Sequence, residues 1–327
     1  MATLYAGFDG GGTRTTCVLC DESGRFLGSG SGARSNFHDV GLPSAVSSLR
    51  SAFDGALAQS GMQAPDVEAC FGLAGLDSPK DMSLMTDAIR SMGLTKSDPL
   101  VVNDWRTAVT GAFVDEPGVT LIAGTGCVAA AQTSAGRRMV RVGGWGHIVD
   151  DRGSAYDIGR DALYAAMRDY DGRGPKTKLL RMIMARMRVD EPQGIIARVY
   201  AEQMSVSEVA SLSSVAGEAA RAGDPVARAI LREKGEILAE LVVVAASKLK
   251  MTRSKLGVSL NGGVFNAGEP ILGPLVKAIH ASVPKAHVVE PKLRPAFGAV
   301  VLLLRRTGVD VDAPLVKRMR ETAPGAQ

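Results

Sequence analysis

The tightest constraint on this chain is the stretch Phe8-Asp9-Gly10-Gly11-Gly12-Thr13-Arg14-Thr15. Leu4 to Phe8 before it and Thr16 to Cys20 after it are apolar runs rich in strand formers, so the glycines form a tight turn between two strands. No side chains lie over such a turn. An anion can therefore come within hydrogen-bond range of the backbone N–H groups and the threonine hydroxyls. Asp9 alone would repel a phosphate. It makes sense there with a divalent cation between the two, because Mg²⁺ takes carboxylate and phosphate oxygens together. A glycine-rich hairpin turn with no ligand is the alternative this stretch leaves open.

With 327 residues the chain is more naturally two domains than one. Its 46% hydrophobic and 22% charged residues are those of a soluble globular protein. A net charge of +4 is mildly basic, but acids and bases are mixed along the chain, which does not point to nucleic acid. The most basic stretch, Lys176 to Arg188, carries Leu179, Leu180, Ile183 and Met184 at helical spacing and reads as a helix with a solvated basic face. There is no charged leader with an apolar core, and Leu241 to Ala246 and Ala296 to Leu304 are too short to span a bilayer. A cytoplasmic protein is expected. Four cysteines are too few for a disulfide framework. Cys17 and Cys20, three apart on a strand, face opposite ways and cannot chelate one metal.

Taken in order, the chain opens as a meander, with a turn at Asp21 to Gly24 and a third strand from Arg25 to Gly28. Val46, Leu49, Phe53 and Leu57 mark a helix, Val67 to Leu73 a buried strand, and Ser78-Pro79 the cap and first turn of the next helix. Leu100 to Val102 is a short strand running into Asn103-Asp104, and Trp105 to Phe113 reads as helix. After Glu116-Pro117-Gly118 the opening device returns: strand Val119 to Ala123, turn Gly124-Thr125-Gly126, strand Cys127 to Gln132, a turn, and a strand from Arg138 to Val142. The repeat predicts two related α/β domains, residues 1–118 and 119–327, with their phosphate turns facing each other across a cleft. The second half continues through Gly143-Gly144-Trp145-Gly146 and Asp150 to Ser154, then a mostly helical stretch to Leu249. Strand Gly257 to Leu260 delivers Asn261-Gly262-Gly263, and Ala286 to Val289 and Pro295 to Arg305 form the last strand and helix. The tail after Pro314 shows no clear periodicity.

Asp104 is the candidate base: at the carboxyl end of a buried strand, where open α/β sheets place their ligands, it can accept a proton from an attacking hydroxyl. Equally, Asp is a good helix N-cap. Thr125 and Gly126 form the second phosphate turn. Gly262 and Gly263 can lie bare against a base or ribose, or simply turn a strand into a helix. Asn36, Asp151 and Trp145 sit in glycine-rich loops and suit sugar hydroxyls and a sugar's apolar face, against an Asx turn for Asn36, a turn or cap for Asp151 and a core indole for Trp145. His38 and His147 form no chelating pattern and receive no role.

Together these pieces resemble the actin-like ATPase and sugar-kinase superfamily, with two ribonuclease H-like domains around a central nucleotide and sugar cleft. The chain is most similar to the N-acetylglucosamine kinase group, with the archaeal broad-specificity hexokinases, of the BadF/BadG/BcrA/BcrD ATPase family. The resemblance runs from Gly7 to about Gly308. It is carried by Asp9-Gly10-Gly11-Gly12-Thr13, Asn103-Asp104, Ile122-Ala123-Gly124-Thr125-Gly126, Gly143-Gly144-Trp145-Gly146, Gly153-Ser154-Ala155-Tyr156 and Pro295-Ala296-Phe297-Gly298-Ala299. It implies an N-terminal sugar and phosphate domain, a C-terminal nucleotide domain, and ATP with Mg²⁺. Asp9 and the Gly10–Thr13 turn would handle Mg²⁺ and the β- and γ-phosphates, and Gly124 to Gly126 the second phosphate loop. Asp104 would take the proton from a sugar 6-hydroxyl, Asn36 and Asp151 would contact the sugar, and Gly262 and Gly263 the adenosine. A homodimer is implied as well.

Two positions depart from the family pattern. Arg152 stands where relatives usually carry Glu or Asp, and Asp157 where they often carry an aromatic. Either Arg152 pairs with a nearby acid such as Asp150 or Asp157, or it reads an anionic group on the substrate. Two other functions compete with the kinase. One is an ATPase that activates a partner reductase through a cysteine-held iron–sulfur cluster, which the placement of Cys17, Cys20, Cys70 and Cys127 in core strands opposes. The other is a non-catalytic sugar sensor, which would need neither Asp9 nor Asp104.

Overall fold

The computed structural model describes residues 3–62, 66–95 and 97–322. Its strands are β1 (Thr3–Gly10), β2 (Thr15–Cys20), β3 (Phe26–Gly32), β4 (Asp66–Leu73), β5 (Leu100–Asn103), β6 (Gly118–Ala123), β7 (Cys127–Gln132), β8 (Met139–Gly143), β9 (Leu256–Asn261) and β10 (Ala286–Val289). The helices of the first part are α1 (Phe37–Val40), α2 (Leu42–Ser60), α3 (Pro79–Ser91) and α4 (Asp104–Phe113). Next come α5 (Ala155–Tyr170), α6 (Leu179–Met187), α7 (Gln193–Ile196), α8 (Val206–Ser211), α9 (Ser213–Arg221), α10 (Pro225–Lys248) and α11 (Glu269–Ser282). The chain closes with α12 (Pro295–Arg306) and α13 (Ala313–Thr322).

The strands make two five-stranded sheets, β3-β2-β1-β4-β5 and β10-β9-β6-β7-β8. Read from its other edge, the second repeats the order of the first, so the duplication signalled by two glycine–threonine turns extends to the whole sheet. In the first sheet β1 pairs antiparallel with β2 and parallel with β4, and β4 parallel with β5. The register sets Gly10 opposite Leu73 and Leu73 opposite Asn103. Three strand ends therefore stand level. In the second sheet Ile122 of β6 faces Asn261 of β9, which brings the ends before Gly124 and Gly262 together.

The chain folds as two compact units. One comprises residues 1–117, 132–139 and 290–327, the other 118–131 and 140–289. The expected second domain of 119–327 is corrected at its end, because α12 belongs to the first unit. Its Ala296, Phe297, Val300, Leu303 and Leu304 form one core with Tyr5, Val18, Cys70 and Val102 of the first sheet. Glycines let it come close: a Cβ at Gly298 would lie 2.0 Å from Thr107 O of α4, and one at Gly7 2.1 Å from Ala296 O. The tail expected to lack periodicity forms α13. Leu315 and Met319, four apart, bury in that same core, and Thr322 Oγ1 accepts from Phe26 N. Ten residues with two buried side chains were too weak a pattern to stand out without the surface they cover.

On the opposite face of the first sheet, Leu4, Ala6, Phe8, Cys17, Leu19 and Phe71 pack under α2 and α3, and Phe8 and Phe71 stack at 4.2 Å. Cys17 and Cys20 thus lie on opposite faces, as their spacing requires. β3 meets α2 through Gly28, Gly30 and Gly32, where added Cβ atoms would lie 2.1–2.3 Å from the carbonyl oxygens of Ala56, Ala52 and Ser48. The period of two on the strand matches the period of four on the helix. Gly30→Ala is expected to destabilise this unit by about 1–3 kcal/mol or more through overpacking against backbone, measured by urea unfolding. An unchanged midpoint would show that the helix moves off without cost.

In the second unit Val119, Leu121, Ala129, Ile158, Leu231, Leu238 and Val242 belong to one core shared by sheet and helices. The basic stretch forms α6 with Leu179, Ile183 and Met187 buried and its arginines exposed.

Candidate functional site

In the first unit the level ends of β1, β4 and β5 carry three segments. Gly11 N donates to Arg14 O at 3.1 Å and closes the glycine-rich turn. The three glycines are not equivalent. A Cβ on Gly10 would strike Ser35 Oγ at 2.4 Å and the Leu73 side chain, so Gly10 serves packing. At Gly11 and Gly12 a Cβ would meet nothing nearer than 3.8 Å, so the backbone there is open to a ligand. Burial pushes the Asp9 carboxyl up to about 6, with the charge of Arg14 pulling it partly back. A desolvated carboxylate beside open backbone N–H groups fits a divalent cation bridging to phosphate oxygens.

Asp104 is the first residue of α4, and the cap is its neighbour: Asn103 Oδ1 accepts from Trp105 N at 3.4 Å. Asp104 is not the N-cap, one of the two roles its sequence position allowed. Asn36 turns out to be a cap, of the short α1, with Oδ1 accepting from His38 N at 3.3 Å. That leaves its amide nitrogen outside the capping bond.

In the second unit Gly124 is open, while a Cβ at Gly126 would lie 2.6 Å from Asp151 Oδ2. α5 locks the turn from behind, as Ala155 N donates to Gly124 O at 2.8 Å and Tyr156 N to Thr125 O at 3.4 Å. Asp151 is 7% exposed and holds a left-handed backbone (φ 52°). Burial raises its pKa, and hydrogen bonds from the backbone of Cys127 and Gly146 pull it partly back. Its Oδ1 is buried with no protein partner, as a ligand-binding oxygen would be. Trp145 is 67% exposed, so it is no core indole. Arg141 lies over its ring at 5.3 Å and donates to Gly143 O and Gly144 O at 3.1 and 2.7 Å, which shapes the loop. Gly262 (φ 113°) presses against Ala123, where a Cβ would lie 2.2 Å from the carbonyl oxygen. Its bareness thus serves the β6–β9 junction, and only Gly263 of the pair has open space around it.

Arg152 is engaged. Its Nε lies 3.2 Å from Asp157 Oδ2 and its Nη2 3.1 Å from Glu233 Oε1. Asp157 also accepts from Gly153 N at 2.9 Å and pairs with Arg160 and with Lys234 Nζ at 3.0 Å. Lys234 is fully buried and reaches Asp161 as well. Burial would lower the Lys234 pKa, but the hydrogen bonds its ammonium donates to Asp161 and Asp157 outweigh it and the pKa is raised. The Arg152–Asp157 pair is one the sequence offered, but Lys234 and Glu233 were not singled out. A signal for Lys234 was present: it falls on the stripe Ala227, Leu231, Leu238 that α10 buries.

The family model for the BadF/BadG/BcrA/BcrD ATPase family matches residues 6–302. An N-acetylmuramic acid/N-acetylglucosamine kinase of Clostridium acetobutylicum is 32% identical over 297 residues, 90% of this chain and 96% of that one. An N-acetyl-D-glucosamine kinase of Dictyostelium discoideum is 27% identical, over 92% of this chain and 98% of its own. A solved structure from Chromobacterium violaceum, named as a proposed N-acetylglucosamine kinase, superposes with a TM-score of 0.75 at 26% identity, covering 92% of this chain and 98% of that one. With two five-stranded mixed sheets in repeated order, the fold is that of the actin-like ATPases and sugar kinases. By the span of the match and the motifs at both sets of strand ends, this chain is a member of the BadF/BadG/BcrA/BcrD ATPase family.

Proposed function

We propose that this protein is an ATP-dependent sugar kinase that phosphorylates the 6-hydroxyl of a hexosamine, N-acetylglucosamine or glucosamine, with glucose and mannose as further candidate acceptors. The observation that carries the reading is Asp104 at the carboxyl end of β5, first in a helix that Asn103 already caps. The kinase names of the relatives point the same way.

In this reading Asp104 accepts the proton of the attacking hydroxyl as the oxygen bonds to phosphorus. The Asn36 amide and the buried Oδ1 of Asp151 hold other hydroxyls, and Trp145 covers an apolar face of the ring. With the Gly11 N–H spent on Arg14 O, backbone N–H groups at Gly12 and Thr13 and at Thr125-Gly126 hold phosphate oxygens, and Gly263 leaves room for the adenosine. Mg²⁺, bound through Asp9, would neutralise charge on the phosphates and orient them. These groups must exclude water, since ATP is otherwise hydrolysed.

Burial raises all four cysteine pKa values, Cys70 to about 12, which disfavours the thiolates a metal cluster needs. The reductase-activator reading thus gains nothing from the structure. A homodimer and a cytoplasmic location complete the proposal. Light scattering and cell fractionation read them directly. Among the described residues no helix is long and apolar enough to cross a membrane.

The test is ADP release from Mg²⁺ and ATP against glucose, mannose, glucosamine, N-acetylglucosamine, N-acetylmuramic acid and no sugar. Stimulation by amino sugars is expected, and hydrolysis that no sugar stimulates would overturn the proposal. Because the Arg152 guanidinium already holds Asp157 and Glu233, Arg152→Ala should leave the preference between N-acetylmuramic acid and N-acetylglucosamine within about twofold, the scale of a half-exposed ion pair. A preference for the acidic sugar that collapses in the variant would instead place Arg152 in the acceptor site.

A further inference from the structure

The loop after β4, Ala74-Gly75-Leu76-Asp77, is tied by three successive residues to three different segments. Ala74 N donates to Gly10 O at 2.8 Å, at the phosphate turn. Gly75 O lies 3.1 Å from His38 Nε2, two residues beyond Asn36. Leu76 O accepts from Asn103 Nδ2 at 3.2 Å, beside Asp104. Two of these tethers are built into the sheet, because Gly10, Leu73 and Asn103 are paired across β1, β4 and β5. The His38 tether is different: α1 and its cap lie in a loop outside the sheet, anchored at its start by Ser35 N donating to Gly11 O at 3.1 Å, and it meets the loop after β4 through the His38 side chain.

We infer that His38 is a positioning residue for the acceptor sugar, its Nε2–H clamping the Asn36 segment against the loop at Gly75. Both groups facing Nε2 are acceptors, Gly75 O and Asp81 Oδ1 at 3.7 Å, so Nε2 carries the hydrogen. Asp81 is held in turn, accepting from Ser78 N at 3.0 Å and Ser78 Oγ at 2.6 Å in the capping box of α3. Phe37 packs on the imidazole with ring centres 4.0 Å apart. Gly75 lets the two segments meet. At φ 81° it is left-handed, and a Cβ there would lie 2.4 Å from Asn36 Oδ1 and 3.0 Å from His38 Cδ2. Losing the clamp leaves the sheet and the phosphate turn as they are and frees the Asn36 segment.

The inference rests on the kinase reading, in which Asn36 contacts the sugar, and its test has a readout that does not. In the full-length protein, His38→Ala should raise the KM for N-acetylglucosamine about tenfold, the scale of one lost hydrogen bond, with kcat and the KM for ATP within about threefold. His38→Gln, whose amide N–H can reach Gly75 O, should recover most of the loss. Amide hydrogen exchange across 36–40 and 74–77 should speed up in His38→Ala and not in His38→Gln, whatever substrate the enzyme uses. An unaltered sugar KM in an active enzyme, or exchange unaltered in both segments, would overturn the inference. So would an equal loss for sugar and ATP that glutamine does not rescue. If no sugar is phosphorylated but exchange speeds up as stated, the kinase reading and the sugar-positioning role fall together, and the clamp alone stands.

Discussion

Asp104→Asn is expected to lower turnover with the best acceptor by roughly 10²–10⁴-fold, the usual contribution of a positioned general base. Nucleotide binding should stay within about twofold, because in the proposed reaction Asp104 serves the attacking hydroxyl and not the nucleotide. Asparagine keeps the shape and removes the proton acceptor. It is also tolerated at the start of a helix, and the cap of α4 is Asn103, so thermal stability should hold. The assay is steady-state phosphorylation with ATP binding measured separately. Residual turnover within about tenfold of the parent would remove Asp104 from the role of base. Loss of stability in step with activity would make it a structural residue of the β5–α4 junction.

Lys234→Met carries the largest expected effect on stability. Methionine matches much of the lysine's volume, so the change is one of charge rather than cavity. It leaves Asp157, 2% exposed, without the ammonium at 3.0 Å, and Asp161 without its buried partner. Removing one member of a buried ion pair costs about 3–5 kcal/mol, or roughly 10 °C in Tm for a unit of this size. Arg152 and Arg160 remain on Asp157, but both are about half exposed and are screened by solvent. Calorimetry of the parent, Lys234→Met, and Lys234→Met with Asp157→Asn and Asp161→Asn checks the cause. Recovery in the triple variant would show that unpaired charge made the loss, whereas a further drop would point to packing. The Asp157 pKa also gives the effect a pH sign. Burial raises it, but the Gly153 N–H, Lys234 and Arg152 together bring it below 3.8. The stabilisation is therefore complete above pH 3.8 and is lost as pH falls through the depressed folded value.

Both experiments touch residues whose sequence signals differ in kind. The position of Asp104 was legible because a short apolar strand running into a carboxylate is a local pattern, and ruling out the cap needed only the backbone of α4. Arg152 offered two partners by proximity in the chain, and Asp157 was among them. Glu233 and Lys234 lie about eighty residues further on, and no periodicity in that stretch reveals which acids they meet. The glycines show the same division. Gly11 and Gly12 have open space where a Cβ would stand, but Gly10 and Gly262 are bare because Ser35 and Ala123 crowd them.

The chain's own order of apolar runs and turns was enough to determine the duplicated α/β plan, the two glycine–threonine turns and the carboxylates beside them. These depend on contacts within one strand–turn–strand unit, and the local period of the side chains encodes them. Only the tertiary structure decided that α12 and α13 return to the first sheet, that Lys234 meets Asp157 and Asp161, and that His38 reaches Gly75. Each of these joins segments far apart in sequence, where the partner is selected by complementary surface and charge, and no local period carries that information.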